Sequence, residues 1–497
     1  MTRATRATLR WFGGAALGAI ALGSAPASAD TLREALAAAY NSNPTLEAAR
    51  ADQRAIDEEV PIQRAPGLPS LNTTATHIEF IRQSANAFAP PTRNLNVGNQ
   101  LNIPIYSGGA VRNGINAAEE RVQASRADLR ATESGIFSQT VAAYMDVLRT
   151  EALVSLAANQ VEVLDVTFQS TSDRFEIGDV TRTDVAQAQS RLAVATGDLQ
   201  TALANLVAAR ETYTQLVGRQ PTDLQAPPPL PNLPDTVGIA VVTALENNPD
   251  LIAVKERAQA AGFDTEVAGA GRLPRLAAFA NADYSNFFGT LGSQVLQGLV
   301  QEEVTGNLGV TLTIPIFQGG LPAARQRQAG ARESAALERV IEVERAVIQQ
   351  TRAAYINWQA SLAVIESSQT AVDAAEFSLE GVRAENSIGN RTILDVLNAE
   401  QELLSARAQL VTARRNAYVA GFSLLAAMGR AEARDLNLDT GGPLYDPTVN
   451  YERVRGRFWD WDRDPEPEAN ATRTVDTELV DDMIGPLLEP RDTPREP

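Results

Sequence analysis

The residue types that usually carry chemistry are scarce in this sequence. His77 is the only histidine and there is no cysteine, so the chain offers neither a Ser-His-Asp set nor a metal site rich in histidine or cysteine. Asp460, Asp462 and Asp464 resemble the start of a calcium loop, but Pro465 stands where that loop needs glycine. There is no phosphate-binding glycine-rich motif with lysine. We therefore predict a protein that is not an enzyme and has no cofactor or metal.

Two short motifs do combine charge with a defined spacing. Gly178 and Gly389 are each followed by a Thr-x-x-Asp sequence, Thr181 to Asp184 and Thr392 to Asp395. A glycine with positive φ typically ends one helix, and Thr-x-x-Asp resembles the capping box that starts the next. The aspartates would also favour the positive end of the helix dipole. The motif alone leaves open whether they only cap helices or also form a site.

These motifs occupy equivalent positions in two halves of a duplicated chain. Asn43-Pro44 corresponds to Asn248-Pro249, and Ala142-Ala143-Tyr144 corresponds to Ala353-Ala354-Tyr355. Such an ordered series of matches at nearly constant spacing indicates an internal repeat. In each half a proline-free tract rich in good helix formers follows the strands. The first arm would be about 100 Å long, which indicates a coiled coil or helical tube.

The predicted organisation has five parts. A signal peptide at 1–29 precedes the first repeat at 30–220, with strands at about 71–82 and 94–105 and long helices at about 109–176 and 181–218. A Pro-rich linker at 221–236 leads to the second repeat at 237–440. Its strands are expected at about 275–285 and 305–316, and its long helices at about 321–387 and 392–429. An acidic tail at 441–497 is predicted to be disordered.

The first residues predict export. Arg3, Arg6 and Arg10 precede an apolar run, and Ala27-Ser28-Ala29 has the pattern of a signal-peptidase site. The net charge is −18 and becomes three units more negative without this leader, which argues against a nucleic-acid partner. After the leader we find no run of the roughly 20 apolar residues that a membrane-spanning helix needs. A membrane-spanning role is therefore expected to use strands.

The strand segments have one apolar and one polar face. Apolar residues from Leu95 to Ile105 alternate with polar ones, and the pattern recurs from Leu308 to Ile316. Outer-membrane barrels need about eight strands or more, so four strands per chain would require several chains, and three would supply twelve. The alternative is a soluble hairpin whose apolar face packs on the helices.

The junctions between strand and helix carry paired aromatic residues. Tyr106 follows Pro104 by two residues, and Phe317 follows Pro315 in the same way. Both aromatic side chains would suit a girdle at the membrane interface.

The repeated strand-strand-helix-turn-helix unit resembles the TolC family of outer-membrane efflux and type I secretion channel proteins. The resemblance covers about Thr31 to Leu438 and is most specific from Ser387 to Leu397. It implies a mainly α fold with a membrane β-barrel portion. Three copies would form a 12-stranded barrel in the outer membrane of a Gram-negative bacterium, continued by a 12-helix periplasmic tube.

The same resemblance implies a function and partners. The chain would be a subunit of the exit duct of a tripartite efflux pump or a type I secretion system. This passive conduit would be opened by a periplasmic adaptor (membrane fusion) protein and an inner-membrane RND or ABC transporter. The alternative is a periplasmic coiled-coil scaffold without a membrane-spanning role, which would have no need for duplicated strands with apolar faces.

The resemblance also assigns roles at the two helix turns. Asp395 and Asn398 match the positions of a periplasmic gate and selectivity ring, although family members have an acidic residue where Asn398 stands. Arg391 matches a gate arginine that bridges to groups matching Thr183 and Asp184 on the neighbouring turn. This latch would hold the tube shut. The alternatives are that Asp395 only caps its helix and that Arg391 is an ordinary solvated arginine.

Overall fold

The computed structural model describes residues 30–82, 91–291 and 300–475. The predicted signal peptide, the strand connections at 83–90 and 292–299, and the tail beyond residue 475 lie outside the described residues. The described strands are β1 (Ser70–Glu79), β2 (Arg93–Tyr106), β3 (Arg275–Asn286) and β4 (Glu302–Thr313). The helices before residue 220 are α1 (Leu32–Ser42), α2 (Pro44–Asp57), α3 (Glu59–Arg64), α4 (Ala110–Glu176) and α5 (Arg182–Val217). Those after it are α6 (Val237–Asn247), α7 (Pro249–Gly269), α8 (Leu321–Ser387), α9 (Ile393–Ala427) and α10 (Pro447–Val454).

The helix boundaries repeat between the two halves because the same local chemistry sets them. The side chains of Asn43 and Asn248 accept backbone N–H groups at the starts of α2 and α7, and proline follows each of them. Gly109 and Gly320, with φ of 85° and 80°, precede the two 67-residue helices α4 and α8. Only glycine adopts this conformation without strain.

The four strands form one antiparallel sheet in the order β1-β2-β3-β4. Their register aligns side chains of one kind in rows across the sheet, since side chains alternate between the faces. One apolar row contains Leu71, Leu101, Ala280 and Leu308. The adjacent row on the other face contains Asn72, Gln100, Asn281 and Asn307. The apolar face is open to the surroundings, with Leu308 86% exposed.

Both long hairpins are held by small and branched apolar side chains. Helix α4 packs against α5, and α8 packs against α9, while α7 lies along both α4 and α8. At 1.5 Å per residue, α4 and α8 are each about 100 Å long. In the second hairpin the buried seam includes Val372, Leu379, Val396 and Leu403.

The largest buried cluster lies around the middle of α4 and joins the chain's distant parts. Phe137 and Tyr144 of α4 pack there with Tyr213 of α5 and Phe422 of α9. The Tyr144 hydroxyl donates to the carbonyl oxygens of Asp30 and Gln225 at 2.9 and 2.6 Å. This core therefore ties the first described residue and the Pro-rich linker to the long helices.

One prediction of the sequence analysis is corrected here. The described part of the tail is not disordered throughout, because residues 447–454 form α10, whose Asn450 side chain donates to Asp57 of α2 at 2.7 Å.

An 18-residue window of α5 has a mean hydropathy of 1.2, so this one described helix could cross a membrane by length and composition. Helices α6 and α7 meet that test only as a pair across a 41° bend. Helix α5 contains no continuous run of about 20 apolar residues, because polar residues such as Asp198, Gln200 and Asn205 interrupt it; it therefore does not contradict the prediction that no such run follows the leader.

Strand β4 begins and ends three residues earlier than predicted. It stops at Thr313, which pairs with Arg275, the first residue of β3. Residues 314–316 therefore have no β3 residue left to pair with, and the nitrogen of Pro315 has no hydrogen to donate.

Gly429 is predicted to be essential to the packing of the end of α9 against the connection between α6 and α7. It has φ of 68°, and a Cβ there would lie 2.3 Å from the carbonyl oxygen of Asn247. Left-handed strain costs about 1–2 kcal/mol, and forced overpacking adds on the order of 1–3 kcal/mol. We expect Gly429→Ala to lower the apparent Tm in detergent strongly. Gly441→Ala is the control, because Gly441 has φ of 74° and open space around it; equal losses in the two variants would contradict this prediction.

Candidate functional site

The turns that join α4 to α5 and α8 to α9 lie at the far ends of the long hairpins from the sheet and are built alike. Gly178 and Gly389 have φ of 80° and 81°. The N–H groups that follow them, from Asp179 and Asn390, donate to the carbonyl oxygens of Arg174 and Glu385 at 2.9 Å each. These bonds use carbonyl groups that the end of a helix leaves free.

The two aspartates cap the helices that follow. The Asp395 carboxylate accepts the Thr392 N–H at 3.0 Å and the Thr392 hydroxyl at 2.7 Å. Asp184 accepts the same two groups of Thr181 at 2.8 and 2.7 Å. The hydroxyl and backbone N–H of Thr392 lower the pKa of Asp395 more than nearby Arg391 does. Both carboxylates are therefore charged at neutral pH, so capping and a role in a charged ring are compatible.

Arg391 makes its ion pair within its own turn. Its Nε donates to Glu385 Oε2 at 2.7 Å, while the Asn386 side chain donates to the Arg391 carbonyl oxygen at 2.8 Å. The hydrogen bond and the charge of Glu385 raise the pKa of Arg391. The predicted latch partners Thr183 and Asp184 thus differ from the partner that Arg391 has within one chain.

Asn398 is bonded across the two hairpins by a residue that the sequence analysis missed. Its Oδ1 accepts Arg191 Nη2 of α5 at 3.1 Å. Arg191 lies seven residues after Asp184, which places both on one face of α5. Helical spacing from the turn would therefore have identified Arg191 as a neighbour of the site. The positively charged side chain of Arg191 thus lies beside the position where the family pattern has a second acidic residue.

A second missed residue stabilises the hairpin beside the turn. Glu400 of α9 is 5% exposed and accepts Arg383 Nη2 of α8 at 2.9 Å. A buried carboxylate needs such a partner, because an unpaired buried charge is costly.

The junctions between the strands and the long helices lie at the other end of the hairpins. Pro104 pairs with Ala277, and the register of β2 against β3 shifts between Pro104 and Tyr106. Tyr106 is 51% exposed and Phe317 is 87% exposed. The glycine pairs that follow both have positive φ, at Gly108-Gly109 and Gly319-Gly320. Pro315 and Phe317 lie beyond β4, in the segment that leads to α8.

Comparisons with known proteins match most of the chain to outer-membrane efflux proteins. A family model described as "Outer membrane efflux protein" matches residues 35–219 and 240–430. Outer membrane efflux protein BepC of Brucella suis is 32% identical over 442 residues, covering 89% of this chain and 94% of that protein. Outer membrane protein TolC of Escherichia coli is 27% identical over 421 residues, covering 83% and 85%. The solved Campylobacter jejuni CmeC outer membrane channel has a TM-score of 0.71 at 18% identity, covering 86% and 89%.

The capping role of Asp395 predicts a defined pH dependence. Its pKa is lowered in the fold, so its contribution is complete above the unfolded value of about 3.9 and is lost as the pH falls through the folded value. We expect the first turn of α9 to lose hydrogen-exchange protection below about pH 4, after correction for intrinsic exchange rates. Asp395→Asn keeps an acceptor without titrating and should lose this pH dependence. The same pH profile in both proteins would contradict the assignment.

Proposed function

The chain belongs to the outer membrane efflux protein family, as the resemblance in its sequence indicated, and we propose that three copies form a passive export duct. In this proposal the four strands of each copy contribute to one barrel in the outer membrane. The long helices continue that barrel as a tube through the periplasm.

The observation that carries the proposal is the division of the sheet into an apolar and a polar face. Leu308, Val310 and Leu312 of β4 are 86%, 64% and 58% exposed. On the opposite face Asn96 donates to Ser285 at 3.1 Å and Asn281 donates to Asn307 at 3.0 Å. Lipid outside and water inside would satisfy both faces, since barrel strands alternate in this way.

The sheet's edges set the number of copies. Strands β1 and β4 end the sheet on its two sides, and open edges cannot persist in lipid because their backbone groups lack partners. Four strands are too few to close a barrel, whereas three copies supply twelve, within the range of known outer-membrane barrels. Strands of 10 to 14 residues are long enough to cross the bilayer when tilted.

The helix turns are proposed as the periplasmic gate. Around a threefold axis, Asp395 would form a ring of like charge that attracts cations and repels anions. Arg191, held by Asn398 at 3.1 Å, would moderate that field one helical turn away. Arg391 would exchange its partner Glu385 for Thr183 and Asp184 of the neighbouring copy when the tube closes. Exposed ion pairs are individually weak, which suits a latch that opens.

The energy for export would come from partners. We propose a periplasmic adaptor protein that engages the helical tube and an inner-membrane RND or ABC transporter that supplies the driving force. The duct itself would contribute a passage and a gate and would perform no catalysis.

Channel recordings in planar bilayers test the duct and its acidic ring together. We expect small cation-selective openings, and we expect Asp395→Asn to reduce cation selectivity while keeping the α9 cap. The matched control is Asp446→Asn, since Asp446 is an exposed aspartate that also caps a helix, as the N-cap residue of α10 whose carboxylate accepts the Thr448 N–H at 2.8 Å. Folded protein without channel activity would favour the periplasmic scaffold. Equal selectivity of the Asp395 variant and the wild type would leave Asp395 a capping residue only.

The latch is tested by separating the two possible partners of Arg391. Arg391→Ser should enlarge the mean conductance, because it removes the bridge to the neighbouring turn. Glu385→Gln breaks only the 2.7 Å pair within the chain, so it should leave the conductance unchanged or lower it by freeing Arg391 for the latch. Larger openings in both variants would show that Arg391 acts within its own turn.

A further inference from the structure

The C-terminal segment follows the first three helices from the central core to the base of the sheet. The Asn41 side chain donates to the Thr440 carbonyl oxygen at 3.1 Å, and the Tyr445 N–H donates to the Tyr40 hydroxyl at 2.9 Å. Further along, Arg64 Nη1 donates to the Arg455 carbonyl oxygen at 3.0 Å. The residues that follow lie beside the first residues of β1.

A pair of arginines closes the next eight residues into a loop, here called the aromatic loop (residues 457–464). Arg453 donates to both oxygens of Asp464 at 2.6 and 2.8 Å, and Arg457 donates to Asp464 Oδ1 at 2.8 Å. Arg457 also lies 3.2 Å from Asp462. The hydrogen bonds from Arg453 and Arg457 hold the pKa of Asp464 well below its usual range. Two of the three aspartates that resemble a calcium loop in the sequence, Asp462 and Asp464, are therefore engaged by arginines.

The aromatic loop presents three large aromatic side chains to its surroundings. Phe458, Trp459 and Trp461 are 76%, 68% and 75% exposed. Because the arginine bridges close the loop, these side chains project from a defined structure. Three large exposed aromatic residues so close together are unusual on a surface that faces only water.

The position of the aromatic loop indicates what would cover it. Phe458 and Trp459 line a groove together with Ile62, Leu68 and Leu71. Leu71, 68% exposed, belongs to the apolar row that crosses all four strands. The loop is thus continuous with the sheet's apolar face at the end where the strands join the helices. In the proposed duct, this is the level at which the outer membrane meets the periplasm.

We propose that the aromatic loop inserts into the periplasmic leaflet of the outer membrane, at the boundary between lipid headgroups and acyl chains. The inference rests on the proposed placement of the strands in that membrane. Tryptophan favours this boundary because its ring is apolar while its N–H seeks a polar partner. Arg453, Arg457 and Arg463 balance Asp460, Asp462 and Asp464, so the loop together with Arg453 has no formal net charge toward zwitterionic headgroups. Each copy would thereby anchor the tube below the barrel by a contact separate from the strands.

The tryptophan content of the chain allows a direct test. Apart from Trp11 in the predicted leader, the tryptophans are Trp358, Trp459 and Trp461. Trp358→Phe leaves the two loop tryptophans as reporters in protein inserted into phosphatidylethanolamine–phosphatidylcholine vesicles. Lipids brominated near the headgroup should quench their emission more than lipids brominated near the chain end. The emission maximum of the loop tryptophans should also lie at shorter wavelength than that of the same protein unfolded by denaturant in buffer without detergent.

Two variants serve as controls for the quenching experiment. Trp459→Phe/Trp461→Phe leaves only Trp358 on α8, which should be unquenched by either lipid. Adding Tyr284→Trp to a chain without the other tryptophans places a reporter on the apolar face of β3, opposite Val97 and Val304. Quenching of this reporter shows that the sheet is in the bilayer.

The outcomes separate the inference from the function on which it rests. A quenched Tyr284→Trp reporter with unquenched Trp459 and Trp461 would overturn the anchor and leave the duct intact. Loop tryptophans that are shielded from water but unquenched by brominated lipid would show that protein, such as a second copy of this chain, covers the loop, and this too would overturn the proposal. An unquenched Tyr284→Trp reporter would overturn the membrane placement itself.

Discussion

Hydrogen bonding of the sheet's backbone is the constraint on which the rest of the structure depends. A four-stranded sheet leaves one side of β1 and one side of β4 without strand partners among the residues that the structure describes. In water those groups would bond to solvent, but next to lipid each unsatisfied group costs several kcal/mol. The apolar rows across the sheet indicate that lipid is its environment. Closure by further copies then becomes a requirement, and every helix attached to the strands must be arranged around the same axis.

The duplicated long hairpins follow from that requirement. Each pair of strands enters a helix of 67 residues through two glycines with positive φ, so both halves leave the sheet in the same way. The central core around Phe137 and Tyr144 holds the halves together at mid-height. Beyond it the buried seams are narrow, and large apolar side chains such as Phe377 on α8, which is 80% exposed, lie outside them. Such helices are expected to complete their packing against neighbouring copies.

The two turns show how one local structure can diverge in chemistry. Both use a left-handed glycine and a threonine–aspartate cap. The ion pair of the first turn joins Arg174 to Asp179, whereas that of the second joins Glu385 to Arg391. The two turns therefore have the same backbone conformation, while their charged side chains are arranged differently. In the second turn the paired arginine, Arg391, follows the left-handed glycine, and it is the residue offered to a neighbour in the proposed gate.

The sequence by itself determined the features that depend on local chemistry: the duplication, the long proline-free helices, the alternating faces of β2 and β4, and the glycines and caps at the turns. These follow from residue type and spacing because the backbone preferences of glycine, proline and capping side chains act over a few residues. Only the tertiary structure decided which distant residues meet. It placed Arg191 against Asn398, paired Arg391 with Glu385, ended β4 before Pro315, and folded α10 and the aromatic loop against the first repeat. Those contacts join residues that are far apart in the chain or depend on which neighbour is available, and hydrophobic periodicity carries no information about such partners.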